Sequence, residues 1–269
     1  MPRGPRTTRA KCSIAEPSRL PRHMPIKDWT VLYASDTLQR HEGLDGAEEG
    51  FFASLQTLLH ARAKSMPKKI SRICAVDASY RSNRVAAVAT EAVDGRVVER
   101  SVYAGHFSFP YVAGLLYLHE GPFATEAVNK LKVRPELVCF DAHGAAHPRS
   151  AGLATICGMI LGIPSIGIAK SILVGKVEAG DEAIHRLTYN ETVVGFATGK
   201  SKMRYWSPGC SVTLGDLKML MQEHGLLCLE LMKESHRLAK QKVSQPSFLL
   251  TERAQRKYAN KIQAISILH

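Results

Sequence analysis

The stretch VCFDAHGAAHPRSAGLATICGMILGIPSIGIAK, from Val138 to Lys170, carries the pattern that decides the fold. A short apolar run ends at one acid, Asp141, and the following turn holds two histidines among Gly, Ala and Pro. Apolar residues then recur at helical spacing, and a second short apolar run ends at a lone lysine. Two buried strands joined by a helix are typical of an α/β sheet, so this stretch predicts such a sheet with polar side chains at its strand ends.

The segments before this stretch predict an antiparallel part of the same sheet. The run SRICAVDASY is an apolar strand pattern that we expect to end at Asp77, and the dipeptide Asp94-Gly95 between two further strand patterns is a tight-turn signal for a hairpin. A helical pattern that carries Glu120 follows. Three antiparallel strands followed by strands that alternate with helices predict one mixed central sheet flanked by helices on both faces.

The remaining segments predict further helices and two more strands. Residues 25–66 are helical in parts, ETVVGFAT and RYWSPG are strand patterns on either side of a basic turn, and the basic end of the chain is helical in part. Residues 213–241 show a long helical pattern that we expect to break near Gly225, because glycine is a weak helix former.

Length and charge limit the kind of protein. The chain has 269 residues, 45% of them hydrophobic, which is enough for one large domain or two small ones. We expect a disordered basic arm over residues 1–24 and a single domain over residues 25–269; an upstream translation start, with Met24 as the true one, is the alternative for the arm. The net charge of +12 favours a polyanionic partner, of which nucleic acid is the commonest, although the arm accounts for part of it.

The six cysteines are scattered without a CxxC pair, which fits a reducing compartment. No stretch has the apolar length of a membrane span, and the first residues lack an apolar signal core. The sequence therefore predicts a cytoplasmic protein with no membrane contact.

Three acids with apolar neighbours indicate a metal site. Asp77, Glu120 and Asp141 lie on two strand patterns and one helical pattern. One such acid is usually a cap or turn residue, but if the two strands are neighbours the carboxylates converge and repel each other unless a cation lies between them. Carboxylate oxygens favour Mg²⁺ or Mn²⁺, which together with nearby lysine and histidine serve phosphoryl chemistry. A basic protein with such a site is a candidate nuclease.

Four longer motifs resemble those of one known family. They are DASY at 77–80, PYVAGLLYLHEGP at 110–122, DAHGAAHPRSAGLA at 141–154 and IPSIGIAKSILVG at 163–175, with a weaker GKSKMRYWSPG at 199–209. In order and spacing they resemble the endonuclease V family, which nicks nucleic acid near inosine, the product of adenine deamination.

The resemblance implies a ribonuclease H-like fold and a repair nuclease that acts as a monomer on inosine-containing DNA or RNA. It implies Mg²⁺ as cofactor, with Mn²⁺ able to substitute, and hydrolysis on the 3′ side of the lesion to leave a 3′-hydroxyl and a 5′-phosphate. By resemblance the metal-binding residues are Asp77, Glu120 and Asp141, and Lys170 and His147 stabilise charge at the phosphate. His143 and Arg149, in the same motif, are left without an assigned role.

The resemblance also implies a site for the extruded base. Tyr111 would be the wedge that enters the duplex where the inosine leaves the stack, since an aromatic ring can fill such a gap. The pocket for the flipped base would be lined by Gly114, Leu116, Gly144 and Leu173.

The sequence departs from the family pattern at several positions. The second proline of the wedge motif is Ala113, the arginine before the glutamate is His119, and two more positions carry Ala142 and Cys210. In the C-terminal helix, where the family places one more Asp or His ligand, the best local match is SHRLAK, which puts Lys240 there.

A protonated lysine cannot bind Mg²⁺, so either His236 serves in place of Lys240 or one metal site is weakened. Two alternatives to the inosine-directed nuclease therefore stay open. One is a non-catalytic reader of inosine or branched nucleic acid, and the other is a different ribonuclease H-like nuclease. The retention of all three main carboxylates argues against the reader.

Overall fold

A mixed β-sheet forms the centre of the fold in the computed structural model, which describes residues 66, 69–106, 111–181 and 183–245. The basic arm, the helix expected before residue 66 and the helix expected at the end of the chain lie outside the described residues. Within the described part the sheet has nine strands in the order β3-β2-β1-β4-β5-β9-β8-β7-β6. The strands are β1 Arg72–Arg81, β2 Arg84–Val93, β3 Arg96–His106, β4 Leu137–Phe140, β5 Ser165–Ala169, β6 Lys176–Asp181, β7 Ile184–Tyr189, β8 Thr192–Thr198 and β9 Arg204–Pro208.

The three central strands are parallel and the outer ones antiparallel. β4 pairs in parallel with β1 on one side and with β5 on the other. β2 and β3 form the predicted hairpin, whose turn residues Asp94 and Gly95 have φ of 47° and 79°, as a type I′ turn requires. The carboxyl ends of the parallel strands therefore meet at one edge of the sheet, which is where open α/β sheets bind ligands.

Three helices cover the two faces of the sheet among the described residues. Two of them, α1 Leu116–Asn129 and α2 Leu153–Leu161, pack on one face, and the 30-residue α3 Leu214–Val243 packs on the other. Side chains of β1 alternate between the two cores, with Cys74 and Val76 toward α1 and α2 and Ile73 and Ala75 toward α3. The structure confirms the mixed α/β sheet with helices on both faces.

The long helix α3 does not break at Gly225, and that prediction was wrong. It begins at a capping box, in which the Thr213 hydroxyl accepts from the Asp216 amide at 3.2 Å while the Asp216 carboxylate accepts from the Thr213 amide at 2.9 Å. A glycine inside a helix costs only about 1 kcal/mol, which does not end this 30-residue helix, whose buried side, including Gly225, packs on the sheet.

Strands β6 and β7 were not predicted, because KVEAGD and IHRLTY have few apolar residues and no clear alternation. They are held instead by antiparallel pairing with each other and with β8. Among the described residues, no helix combines the length and apolarity that crossing a membrane requires.

Candidate active site

Polar side chains converge at the carboxyl ends of β4 and β5 and beside Asp77 of β1, a strand that continues to Arg81 and does not end at Asp77 as predicted, because pairing with β2 extends it. Asp77 belongs to β1, Asp141 follows β4, and Lys170 follows β5. The Asp141 amide donates to the carbonyl of Val76 at 3.2 Å, which holds the two acid-bearing segments together. The Lys170 ammonium donates to the Asp141 carboxylate. All three residues line one open cavity of about 380 Å³, so the convergence expected from the strand order is present.

The long helix α3 adds a histidine to these acids. His236 Nδ1 lies 2.6 Å from the Asp77 carboxylate, and ligand atoms of Asp77, Asp141 and His236 all lie within 4.8 Å of one another. The preceding residue, Ser235, is buried and donates to the carbonyl of Ala75 at 2.9 Å. That contact sets the rotation of α3 against β1, and the rotation in turn brings His236 to the acids.

Glu120 of α1 lines the same cavity but lies outside this group of three. Burial raises the pKa of the Glu120 carboxyl well above its usual range, and the charges of Asp77 and Asp141 raise it further, while Lys170 opposes the shift. Three mutually repelling carboxylates with an imidazole form a donor set that suits a divalent cation, and the oxygen ligands favour Mg²⁺ or Mn²⁺.

The charge of Asp77 is costly in the protein without a metal. Burial, and then the neighbouring Asp141, raise its pKa from 3.8 to about 6, against the opposing effects of Lys170 and His236. The folded protein therefore binds this proton more tightly than the unfolded chain does. Stability contributed by the protonated carboxyl is complete below pH 3.8 and is lost as the pH rises to about 6.

We expect Asp77→Asn to stabilise the metal-free protein at pH 8 by up to about 3 kcal/mol, because it removes the buried charge. At pH 4 the gain should vanish. Urea unfolding in EDTA at the two pH values measures the difference, and Asp94→Asn, the same change in an exposed turn, is the control. A less stable Asp77→Asn protein at pH 8 would contradict the electrostatic explanation.

The turn after β4 uses His147 to hold the neighbouring loop. The ring is buried, its Nδ1 accepts from the Arg149 amide at 3.3 Å, and its Nε2 donates to the Gly114 carbonyl at 3.0 Å. Burial, and then the Arg149 charge, lower the pKa of His147 to about 4, so the ring is neutral at neutral pH. Its action on the phosphate stays a prediction, and the contacts described here brace the cavity wall.

Four of the five residues predicted to bind the base line the same cavity as the acids. Tyr111 lies at the rim with 67% of its surface exposed, Gly114 has φ +82°, and Leu116 and Leu173 lie on the wall. The Gly114 carbonyl also accepts from Arg149 Nη2 at 2.8 Å. These positions agree with a base pocket, but base contact by these residues stays a prediction.

Gly144 lies behind the wall, not among the residues that line the cavity. Its amide donates to the Ser207 hydroxyl at 2.8 Å, and a side chain there would collide with the carbonyl of Pro208. Glycine is therefore needed for the close approach of this turn to β9. The predicted contact of Gly144 with the base stays a prediction.

Several cavity residues had no role in the sequence-based prediction. Ser171 and Ile172 line the cavity directly after Lys170. Their position just after a strand end is the sequence feature that could have indicated them as cavity residues. His143, left open, also lines it, and burial lowers the pKa of its ring. Of the two C-terminal alternatives, His236 lies in the cavity, whereas Lys240 is exposed and outside it.

The family model for endonuclease V matches residues 54–224 of this chain. The chain belongs to the endonuclease V family. An endonuclease V of Saccharolobus islandicus is 32% identical over 170 residues, which are 62% of this chain and 83% of that protein. The crystal structure of the Streptomyces avermitilis endonuclease V is similar with a TM-score of 0.65 and 28% identity, over 72% of this chain and 92% of that one.

The endonuclease V of Ciona intestinalis shares the fold at 18% identity, with a TM-score of 0.63 over 73% of this chain and 98% of that one. That structure is a complex with a 24mer DNA containing an inosine followed by a ribo-adenosine. The ribonuclease H-like fold that the motifs implied is thus the fold of this endonuclease V family member.

Proposed function

We propose that this endonuclease V family member is a Mg²⁺-dependent endonuclease that recognises inosine in nucleic acid and hydrolyses a phosphodiester on its 3′ side. The observation that carries the proposal is one cavity that contains both the acid–histidine cluster and the candidate base-binding residues. A base held against Gly114 and Leu116 would place its own backbone beside Asp77 and Asp141. Recognition and cleavage would then take place in the same cavity.

The roles of the acids follow from their positions. Asp77, Asp141 and His236 would hold a divalent cation, and Glu120 would add a further carboxylate from the α1 side of the cavity. The bound cation would supply Lewis-acid chemistry and an activated water for phosphodiester hydrolysis. Lys170, which pairs with Asp141 in the structure, would place a positive charge beside the phosphate and so stabilise the negative charge that develops during hydrolysis. None of these side chains is required to form a covalent intermediate.

Recognition of inosine would require the base to leave the stack. Extrusion is cheapest for a weakly paired base, and inosine pairs weakly, which is one source of selectivity. Tyr111 would fill the gap in the stack, and the cavity of about 380 Å³ lies within the size range of small-molecule sites. The net charge of +12 would add sequence-independent attraction to the phosphates.

A nicking assay on a labelled duplex with a single deoxyinosine tests the proposal. We expect one nick on the 3′ side of the lesion with Mg²⁺ or Mn²⁺, none with EDTA, and none in a matched duplex with adenine in place of inosine. Inosine-dependent binding without a nick in either metal would leave a non-catalytic reader. Equal cleavage of the adenine duplex, or cleavage of junctions and hybrids without inosine, would favour a different nuclease of this fold. The same assay with an inosine-containing RNA strand shows whether DNA or RNA is preferred.

A further inference from the structure

Two exposed tyrosines contact the ring of one buried histidine beside the cavity. Tyr111 is 67% exposed, Tyr80 is 39% exposed, and His119 is only 5% exposed. The centroid of the His119 ring lies 5.3 Å from that of Tyr80 and 6.2 Å from that of Tyr111. We call these three residues the aromatic rim.

Two of the elements that carry the acids, β1 and α1, also carry Tyr80 and His119 of the aromatic rim. Tyr80 follows Asp77 by three residues on β1, and His119 directly precedes Glu120 on α1. Tyr80 therefore faces the α1 side of β1, whereas Asp77 faces the α3 side, because side chains alternate along a strand. The positions of Tyr80 and His119 relative to the acids are thus set by regular backbone, whereas Tyr111 lies in the loop before α1.

The ring geometry favours a support role for His119. The planes of His119 and Tyr111 meet at 87°, an edge-on contact, and those of His119 and Tyr80 meet at 50°. Edge-on contact is one of the preferred arrangements of aromatic pairs, and both centroid distances lie within the usual contact range of about 4.5–7 Å. One buried imidazole thus contacts both tyrosines, and both tyrosine residues remain exposed to solvent.

We propose that Tyr80 is a second base-stacking residue and that His119 is a positioning residue for both tyrosines. This inference rests on the proposed function, in which Tyr111 fills the gap left by the flipped base. Extrusion also disturbs the neighbouring nucleotides, and an exposed aromatic ring next to the gap can stack on an unstacked base whatever its identity. The ligand of Tyr80 is therefore a nucleobase next to the inosine.

Stacking at Tyr80 can be separated from simple packing by three substitutions. Tyr80→Phe keeps the ring, Tyr80→Leu keeps apolar bulk without it, and Tyr80→Ala removes both. For the inosine duplex in Ca²⁺ we expect Tyr80→Phe to bind within about twofold of the wild type, and Tyr80→Leu and Tyr80→Ala to bind about 5- to 100-fold more weakly. With 2-aminopurine beside the inosine, the Tyr80→Leu complex should fluoresce more strongly than the wild-type complex, because the base has lost its stacking partner.

His119 is tested in the same assay through its effect on the two tyrosines. His119→Phe should retain binding, and His119→Ala should weaken it. If His119 acts through the tyrosines, adding His119→Ala to a protein that already carries Tyr80→Ala and Tyr111→Ala should weaken binding no further. Thermal unfolding of each variant shows whether it is folded. If Tyr80→Ala does not fold, Tyr80→Leu takes its place in the comparison.

The outcomes separate this inference from the function on which it rests. Equal binding and fluorescence of Tyr80→Leu and Tyr80→Phe would overturn the stacking role, even if the wild type nicks at inosine and Tyr111→Ala impairs it. A wild type without inosine-dependent binding would overturn both. An additive loss in the combined variants would overturn the positioning role of His119.

Discussion

Asp141→Asn is expected to lower the single-turnover rate of cleavage at deoxyinosine by about a thousandfold or more, since metal-assisted charge stabilisation contributes several kcal/mol to such reactions. The substitution keeps the shape of the side chain but removes the charge that contacts Lys170 and faces Asp77. Binding of the inosine duplex should persist, because the residues proposed to hold the base are unchanged. The loss should therefore appear in the rate and not in the dissociation constant.

A titration with metal separates ligand loss from misfolding. If Asp141 binds the cation, raising Mn²⁺ should recover part of the rate of Asp141→Asn, because a weakened site fills at higher concentration. A purely structural defect would not respond to the metal. Asp94→Asn makes the same chemical change in the exposed β2–β3 turn and should cleave like the wild type. An Asp141→Asn rate within tenfold of the wild type would remove Asp141 from the catalytic set.

His236→Ala is expected to lower the cleavage rate by about a hundredfold, whereas Lys240→Ala should stay within about threefold of the wild type. Only His236 reaches the acids, through its 2.6 Å contact with Asp77. Lys240 follows one turn later, is exposed, and does not line the cavity. The two residues form a matched pair on one helix, so a general effect on α3 would change both variants alike.

The opposite result for this pair would have a specific meaning. If Lys240→Ala lost activity and His236→Ala kept it, α3 would act in the register of the SHRLAK match, with the lysine toward the phosphate. The metal dependence of each variant gives an independent readout. Removal of a ligand should raise the metal concentration needed for half-maximal rate, and removal of a phosphate contact should not.

Local patterns were enough to predict most of the sheet. The β2–β3 hairpin follows from Asp94-Gly95, since both residues tolerate the positive φ of the turn. The short apolar runs that end at Asp141 and Lys170 are strands β4 and β5, as predicted. β6 and β7 could not be predicted, because their stability comes from pairing with neighbours in the sheet and not from their own apolar pattern.

The residue types of the candidate site were also readable from the sequence, because acids with apolar neighbours are unusual and their motifs are long. Gly144 shows the limit of such reading. The family resemblance implied base contact for this glycine, which stays a prediction, whereas the contact that the structure shows is with the backbone of β9. Which neighbour requires a glycine depends on segments more than sixty residues apart in the chain.

The sequence by itself determined strands β1 to β5 with the two helices between them, the acids with apolar neighbours and the family, because these depend on local periodicity, turn chemistry and motif spacing. Only the tertiary structure showed that His236, and not Lys240, lies beside the acids, since that position depends on how Ser235 packs α3 against β1. It also decided the neutral state of His147, because burial and the Arg149 charge, which lower its pKa, arise only when the loops fold around the ring. Rotation of a helix and burial of a ring are properties of packing between distant segments, and no local pattern records them.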